Sequence, residues 1–292
     1  MDHRGQIVNG GNLLGIQHWQ ELIDAEHTQA DRMRGSAAPA DYWPAYAQAF
    51  RADPRRANDP LVNRLLQEVA SHHRLIDVGA GGGRLALPLA LRCRHVVAIE
   101  PSSSMGLVLF QQMSDFAISN VSLIAARWEE VEVDPADIVL CAHMLYTIQD
   151  IAPFIRKLDA HAQLKVLVVL FQDAPQARIH PLWERIHGEP RRPLPSLLEF
   201  QAVLGDLGIE AQTEELPPHR PRGFDSLDDA LELLSRRLYL KPDSAKSSRL
   251  RRLLPDILEE VDGLFQIRGS ECVTTALVSW EPEYDSRGLR RS

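Results

Sequence analysis

The chain has 292 residues, 45% hydrophobic and 25% charged, with a formal net charge of −8; it is long enough for one large domain with an insertion, and its acidity argues against a broad nucleic-acid-binding surface. Cys93, Cys141 and Cys272 stand far apart in apolar runs, which suits neither a disulfide framework nor a zinc site and points to a reducing, cytoplasmic setting. No apolar run reaches 18 residues and the first residues lack a secretory hydrophobic stretch, so no membrane span is expected.

Residues 1–15 are polar and glycine-containing and read as an arm. A helix is predicted from Ile16 to about Arg34, and a short second one over Asp41 to Phe50 (DYWPAYAQAF). There Trp43, Tyr46 and Phe50 recur at spacings of three and four and form one aromatic face. Such a face either packs on the domain or serves as a lid over a cleft. The next helix starts near Pro60, with Asp59 as its N-cap, and ends near His72 and His73. Adjacent histidines on a helix do not share a face, so no metal site is expected.

The stretch LIDVGAGGGRLALP, Leu75 to Pro88, follows. A short apolar strand runs into Gly79, Ala80, Gly81, Gly82 and Gly83, and then into a helix-forming run. Such a turn lets a nucleotide-like ligand lie against bare backbone. HVVAIE, ending at Glu100, is a second buried strand, and the serines after Pro101 can cap a helix to about Phe116. Strands are predicted at Val121 to Ala125, Asp137 to Ala142 and Lys165 to Phe171, with an amphipathic helix over Asp150 to His161. This alternation predicts an α/β fold, a doubly wound, mostly parallel sheet binding ligands beyond the carboxyl ends of its strands.

Residues 172–195 are rich in Pro, Arg and His and read as a long irregular loop. A helix over Ser196 to Gly208, an exposed strand over Glu210 to Leu216, helices at 225–240 and 248–265, and a last strand at Glu271 to Trp280 complete the chain. The organisation expected is an N-terminal arm with lid helices (1–58), a main domain (59–282) carrying the 175–195 loop and a helical insertion (225–265) as a cap, and a disordered tail (283–292).

Glu100 stands 21 residues after Gly79 at the end of the second strand, where a carboxylate can accept both ribose hydroxyls of an adenosine cofactor. A dinucleotide fingerprint would place a third glycine at position 84, where this chain has Arg84. Together LIDVGAGGGR, AIEPSSSM and DIVLCAHMLYTIQDIAPFIRKL resemble the core of the class I S-adenosylmethionine-dependent methyltransferases, small-molecule type. The resemblance implies a Rossmann-like seven-stranded sheet, with Glu271 to Trp280 inserted antiparallel beside the fifth strand and Glu210 to Leu216 as the sixth.

It also implies roles. Gly79, Ala80 and Gly81 would pass the amino-acid part of the cofactor, and Asp77 would steady that loop or reach the cofactor amine. Glu100 would bind the ribose, with Pro101 and Met105 near the adenine. Where the family usually has an acid after the third strand, this chain has Arg127 and Trp128, leaving a backbone N–H or the indole for the adenine. Ala142 and His143 would lie near the methyl group. The reaction implied is in-line methyl transfer from S-adenosyl-L-methionine to a small-molecule acceptor, leaving S-adenosyl-L-homocysteine. His143 and Tyr146 are the catalytic candidates, and Trp43, Tyr46, Tyr146 and His180 the candidate acceptor contacts. Two other readings stay open: methylation of RNA or protein by way of a strip of arginines (178, 185, 191, 192, 220 and 222), or a cofactor-binding module without catalysis. The oligomeric state is not legible.

Overall fold

The computed structural model describes residues 13–35, 41, 43–44, 46–269 and 272–282. The expected arm up to residue 12 and the tail from 283 lie outside the described residues. In chain order the elements are α1 (Leu14–Arg34), α2 (Pro60–Glu68), β1 (Arg74–Val78), α3 (Ala86–Ala90), β2 (His95–Ile99), α4 (Ser103–Asp115), β3 (Val121–Ile124), β4 (Ala136–Ala142), α5 (Ile151–His161), β5 (Ala162–Phe171), α6 (His180–His187), α7 (Leu197–Leu207), β6 (Gln212–Glu215), α8 (Leu227–Arg237), α9 (Ala245–Ile257), β7 (Leu258–Val261), β8 (Leu264–Ile267) and β9 (Thr275–Trp280).

Seven strands form one sheet in the order β3-β2-β1-β4-β5-β9-β6. The first five are parallel. β9 runs antiparallel to β5 and to β6, which forms the edge. This is the predicted strand arrangement. Alternate residues of each strand serve opposite faces. Val166, Val168 and Leu170 join Trp19, Phe154 and Phe200 on the side covered by α1, α5 and α7. Leu167 and Val169 join Leu65, Leu87 and Leu109 on the side of α2, α3 and α4. Burial on both faces is why β5 reads as a nearly unbroken apolar run.

A third apolar cluster lies apart from the sheet. Ile179, Leu182, Trp183 and Ile186, from the segment after β5, pack with Ala230, Leu234, Leu250 and Leu254 of α8 and α9. This is the cap. Helix α1 joins the two bodies: Trp19 and Ile23 are fully buried on the sheet side, while Met33 packs on the cap cluster.

Three segments depart from expectation. Residues 172–195 are not all loop; they contain α6, with Pro181 in its first turn and Gly188 closing it at φ 79°. The predicted helix over 248–265 is instead α9, starting at Ala245, followed by a β7–β8 hairpin. The hairpin turns at Asp262 and Gly263, both with positive φ (52° and 77°), the backbone of a type I′ turn. Among the described residues the predicted helix at 41–50 is a 3₁₀ turn over Ala47–Phe50, and Asp41 is engaged by the serines of α4.

Candidate active site

The carboxyl ends of β1, β2 and β4 converge on the glycine turn. Leaving β1, the chain takes positive φ at Gly79 (76°), Gly81 (56°) and Gly83 (86°), angles that residues with a Cβ rarely adopt. A Cβ at Gly83 would lie 2.4 Å from the Leu109 side chain, whereas at Gly81 it would meet nothing within 4 Å. Gly83 thus supplies the close helix approach that a glycine at position 84 would have given, and Gly81 leaves a bare surface.

Glu100 closes this turn from β2. Its Oε2 accepts from Gly81 N at 2.7 Å and its Oε1 from Ser102 N at 2.7 Å, so one buried carboxylate holds both the glycine turn and the start of α4. Burial raises its carboxyl above the ordinary range, the two N–H donors pull it back, and nearby Asp41 adds to the rise. Asp77, on the neighbouring strand, is 2% exposed and its Oδ2 has no hydrogen-bond partner among the described residues. Burial, with Glu100 adding, pushes the Asp77 carboxyl up to about 7. An unpaired buried carboxyl facing a second acid is costly, and a cation placed there would relieve it.

At the end of β4 His143 adopts φ 55° and donates its backbone N–H to Val169 O at 2.8 Å. Left-handed backbone at a bulky residue costs about 1 kcal/mol or more and clusters at functional sites. Its Nδ1 lies 3.1 Å from Tyr146 Oη, and that oxygen accepts from Phe171 N at 2.8 Å. Phe171 faces the imidazole with ring centroids 4.4 Å apart. Burial first, with Arg84 and His219 adding, lowers the imidazole to about 4, so it is neutral at physiological pH. Burial raises the Tyr146 phenol far above its ordinary range. With Phe171 N–H on one lone pair, Tyr146 Oη keeps a second lone pair for an Nδ1–H, or its own proton for a bare Nδ1, according to the imidazole tautomer. The Met144 side chain lies over Gly79, and Ala142 is half-buried beside it.

Other predicted residues sit differently. The Trp128 indole is 1% exposed, edge-on to His161 at 5.1 Å, with the Lys157 ammonium 5.0 Å from its ring. It is a core side chain and does not offer an adenine-stacking face; what remains at the cleft edge is its backbone. Arg127 is exposed, 3.6 Å from Glu129. Pro101 is exposed. Met105 is buried beneath the 47–50 turn with Val108 and Ala47, away from the open surface. Trp43 meets Phe50 edge-on at 5.5 Å, and Phe50 lies against Gly82, so the aromatic segment covers the glycine turn. Tyr46 lies there too, with the Arg236 guanidinium 5.8 Å from its ring. His180 begins α6, half-buried in the cap; burial and then Arg191 lower its pKa.

Of the arginine strip, Arg185, Arg192 and Arg220 are exposed, while Arg191 and Arg222 are engaged. The Arg191 side chain bonds to Glu26 and Gln29 and stacks on Trp183, 4.0 Å from the ring centroid. Arg222 pairs with Asp225 at 2.6 Å.

Three residues of the site escaped sequence reasoning. Asp41 accepts from Ser102 Oγ at 3.0 Å and Ser104 Oγ at 2.9 Å; burial opposes its ionisation, yet the bonds from Trp43 N–H and the two serines hold its carboxyl below the usual range. Asp59 caps α2 and also takes Arg84 at 2.7 Å and Arg56 at 3.0 Å, tying the glycine turn to α2. Gln112 bonds both Gly82 O and Ala52 N. Only Asp59 carried a local signal, as an N-cap.

The fold and the turn define a class: the architecture is that of the class I S-adenosylmethionine-dependent methyltransferases. Residues 49–203, over half the chain, match the methyltransferase domain family, and the chain belongs to that family. The YcgJ protein from Bacillus subtilis shares the fold, with a TM-score of 0.51 at 17% identity over 79% of this chain and 98% of that one. A putative methyltransferase from Bacillus halodurans does so as well, with a TM-score of 0.51 at 13% identity over 75% and 97%. A ubiquinone biosynthesis O-methyltransferase from Rickettsia felis is 26% identical over 125 residues, 39% of this chain and 50% of that protein. A tRNA/tmRNA (uracil-C(5))-methyltransferase from Pseudomonas paraeruginosa is 29% identical over 107 residues, 37% and 26%. The chain spans about half or less of the length of these two relatives. Among the described residues no helix is long and apolar enough to cross a membrane.

Proposed function

We propose that this protein transfers a methyl group from S-adenosyl-L-methionine to a small-molecule acceptor, releasing S-adenosyl-L-homocysteine. The observation that carries the reading is the set formed by the open glycine turn, Glu100 bonded across it to Gly81 N, and the unpaired buried Asp77. These residues fit the cofactor's chemistry: Glu100 retains acceptor lone pairs for the ribose hydroxyls, Asp77 offers a negative charge to the amino group, and Gly79 to Gly81 present backbone without side chains. When bound, the cofactor supplies an electrophilic methyl group on a positively charged sulfur. The residues of this chain then hold the acceptor in line and exclude water.

His143 is the proton acceptor in this reading. It is neutral, fixed through Nδ1 by Tyr146 and flanked by Phe171; with Nδ1 protonated toward Tyr146 Oη, its Nε2 lone pair is free for a proton on the acceptor. The aromatic segment from Trp43 to Phe50 serves as the lid in this reading, which favours a small acceptor over a polymer.

Calorimetry tests this directly. The expected result is binding of S-adenosylmethionine and S-adenosylhomocysteine, with a Glu100→Ala variant weakened by about tenfold or more, the scale of a lost charge-assisted hydrogen bond. Undiminished binding by that variant would contradict the ribose assignment. Cofactor binding with no turnover on a broad acceptor panel would favour a module without catalysis.

A further inference from the structure

The end of the sheet opposite the glycine turn carries an open hollow of about 410 Å³, lined by Arg74, Arg94 and His95. It lies at the amino ends of β1 and β2. Two basic runs enter these strands, His72-His73-Arg74 and Arg92-Cys93-Arg94-His95. Parallel pairing sets them side by side: Arg74 is opposite His95 in the ladder, and Arg94 N donates to His73 O at 2.9 Å. The His95 ring is held by the next strand, its Nε2 lying 3.1 Å from Ser122 Oγ of β3.

The hollow follows from a gap in the covering layer. The crossovers from β1 to β2, β2 to β3 and β4 to β5 carry α3, α4 and α5, whereas residues 125–135 between β3 and β4 form no helix. The faces of β2 and β3 differ accordingly. Val96, Ala98 and Val121 are buried on the side of α2, α3 and α4. On the opposite side His95 and Val97 are only half-buried and Ser122 is exposed.

This corner is also short of counter-charge, in a chain whose net charge is −8. Arg56, Arg64, Arg84 and Arg191 are each paired with an acid. Among the described residues Arg74, Arg92 and Arg94 enter no ion pair. Asp137, at the start of β4, accepts from the backbone N–H of Arg74 at 2.6 Å, but its carboxylate is not within ion-pair distance of either guanidinium lining the hollow. Two guanidiniums against that one acid leave the hollow positive. An anion seated there would relieve their mutual repulsion, and guanidinium forks match phosphate oxygens bidentately.

We propose that this hollow binds the phosphate group of a small molecule, with Arg74 and Arg94 as the charged donors and His95, steadied by Ser122, as a third contact. Its volume falls in the range of small-molecule pockets, about 300–1,000 Å³. It is separate from the methyl-transfer site: His95 and Glu100 stand at opposite ends of β2, five residues or roughly 16 Å apart.

The experiment is a calorimetric titration of the full chain with pyrophosphate, inorganic phosphate and acetate at one low ionic strength. Pyrophosphate is expected to bind about tenfold or more tighter than acetate, and Arg74→Gln and Arg94→Gln should each weaken it by about tenfold. Arg94 is exposed, so its replacement leaves the fold intact, and Arg94→Lys should retain part of the affinity. Arg185→Gln, at an exposed arginine of α6, should leave pyrophosphate binding at the parent value. Melting temperature and S-adenosylhomocysteine affinity should not change in Arg94→Gln. No pyrophosphate binding at millimolar concentration, equal affinity for acetate, or binding that survives both glutamine variants would overturn the inference. A short single-stranded RNA that binds tighter than pyrophosphate, and is lost in the same variants, would overturn it in favour of a nucleic-acid contact.

Discussion

The sheet side of the site and the cap side are built by different means. On the sheet side the surface is backbone: a glycine turn, three strand ends, and N–H groups locked by Glu100. Apart from the end of β4, its parts lie within about thirty residues of one another in sequence, Val78 to Ser104. On the other side what lies against the turn is side chain, from segments far apart in the chain: Trp43 and Phe50 beside Gly82, and Arg236 of α8 over Tyr46. A backbone surface recognises what every member of a class shares, and interchangeable side chains on a separately packed body allow the partner molecule to vary. The division also appears in packing, since the cap has its own apolar cluster and leans on the sheet domain through α1 and Arg191.

Three measurements would break or sharpen this contrast. The largest effect is expected at the joint between the bodies on its sheet side. Trp19 is fully buried and its indole N–H bonds Ile148 O at 2.9 Å, so Trp19→Ala should cost about 3–5 kcal/mol in urea unfolding. A loss below about 1 kcal/mol would mean α1 is not part of the sheet domain's core. Next comes pH. The folded-state pKa of Asp77 is about 7 against an ordinary 3.8, so the native state holds its proton longer than the unfolded chain does. The stability of the cofactor-free protein should fall between about pH 4 and pH 7 and level off above, by a few kcal/mol at about 1.4 per unit. Asp77→Asn should remove that slope while weakening cofactor binding; an unchanged slope assigns the pH dependence elsewhere. The smallest effect belongs to the cap side of the joint. Arg191→Met strips a cation from Trp183 and Glu26 and should cost about 2 kcal/mol. Hydrogen exchange should show it as faster opening of α6, α8 and α9 with little change in β1, β2 and β4. Equal acceleration in both bodies would show that they open as one.

The sheet side was legible because its signals are local. Gly79 to Gly83 between an apolar run and a helix, and Glu100 at the next strand's end, each mean something without knowledge of distant residues. The residue pattern marked β6 and β9 as strands, and the family resemblance implied their places in the sheet. The cap was less legible, although two of its signals were present. Pro181 and Gly188 bracket α6 as a helix start and stop, and Asp262-Gly263 between LEEV and LFQI is a hairpin turn; proline and arginine content in the first case, and an apparent helical period in the second, masked them. Asp41 and Gln112 were beyond reach, because each matters only through a partner about thirty to sixty residues away. The 41–50 segment misled for a similar reason: its aromatic spacing is helical, but Asp41 is committed to the serines of α4 and one short turn forms among the described residues.

Helix α1 also bears on where this protein can be cut. The recognisable family segment begins at residue 49, and a fragment started there would contain every strand and the whole glycine turn. It would also strip Trp19 and Ile23 from the sheet face and Met33 from the cap, uncovering Phe200 and the carbonyl of Ile148 together. Such a fragment would present a sticky apolar flank with an unhinged cap. The smallest autonomous unit therefore begins no later than Leu14.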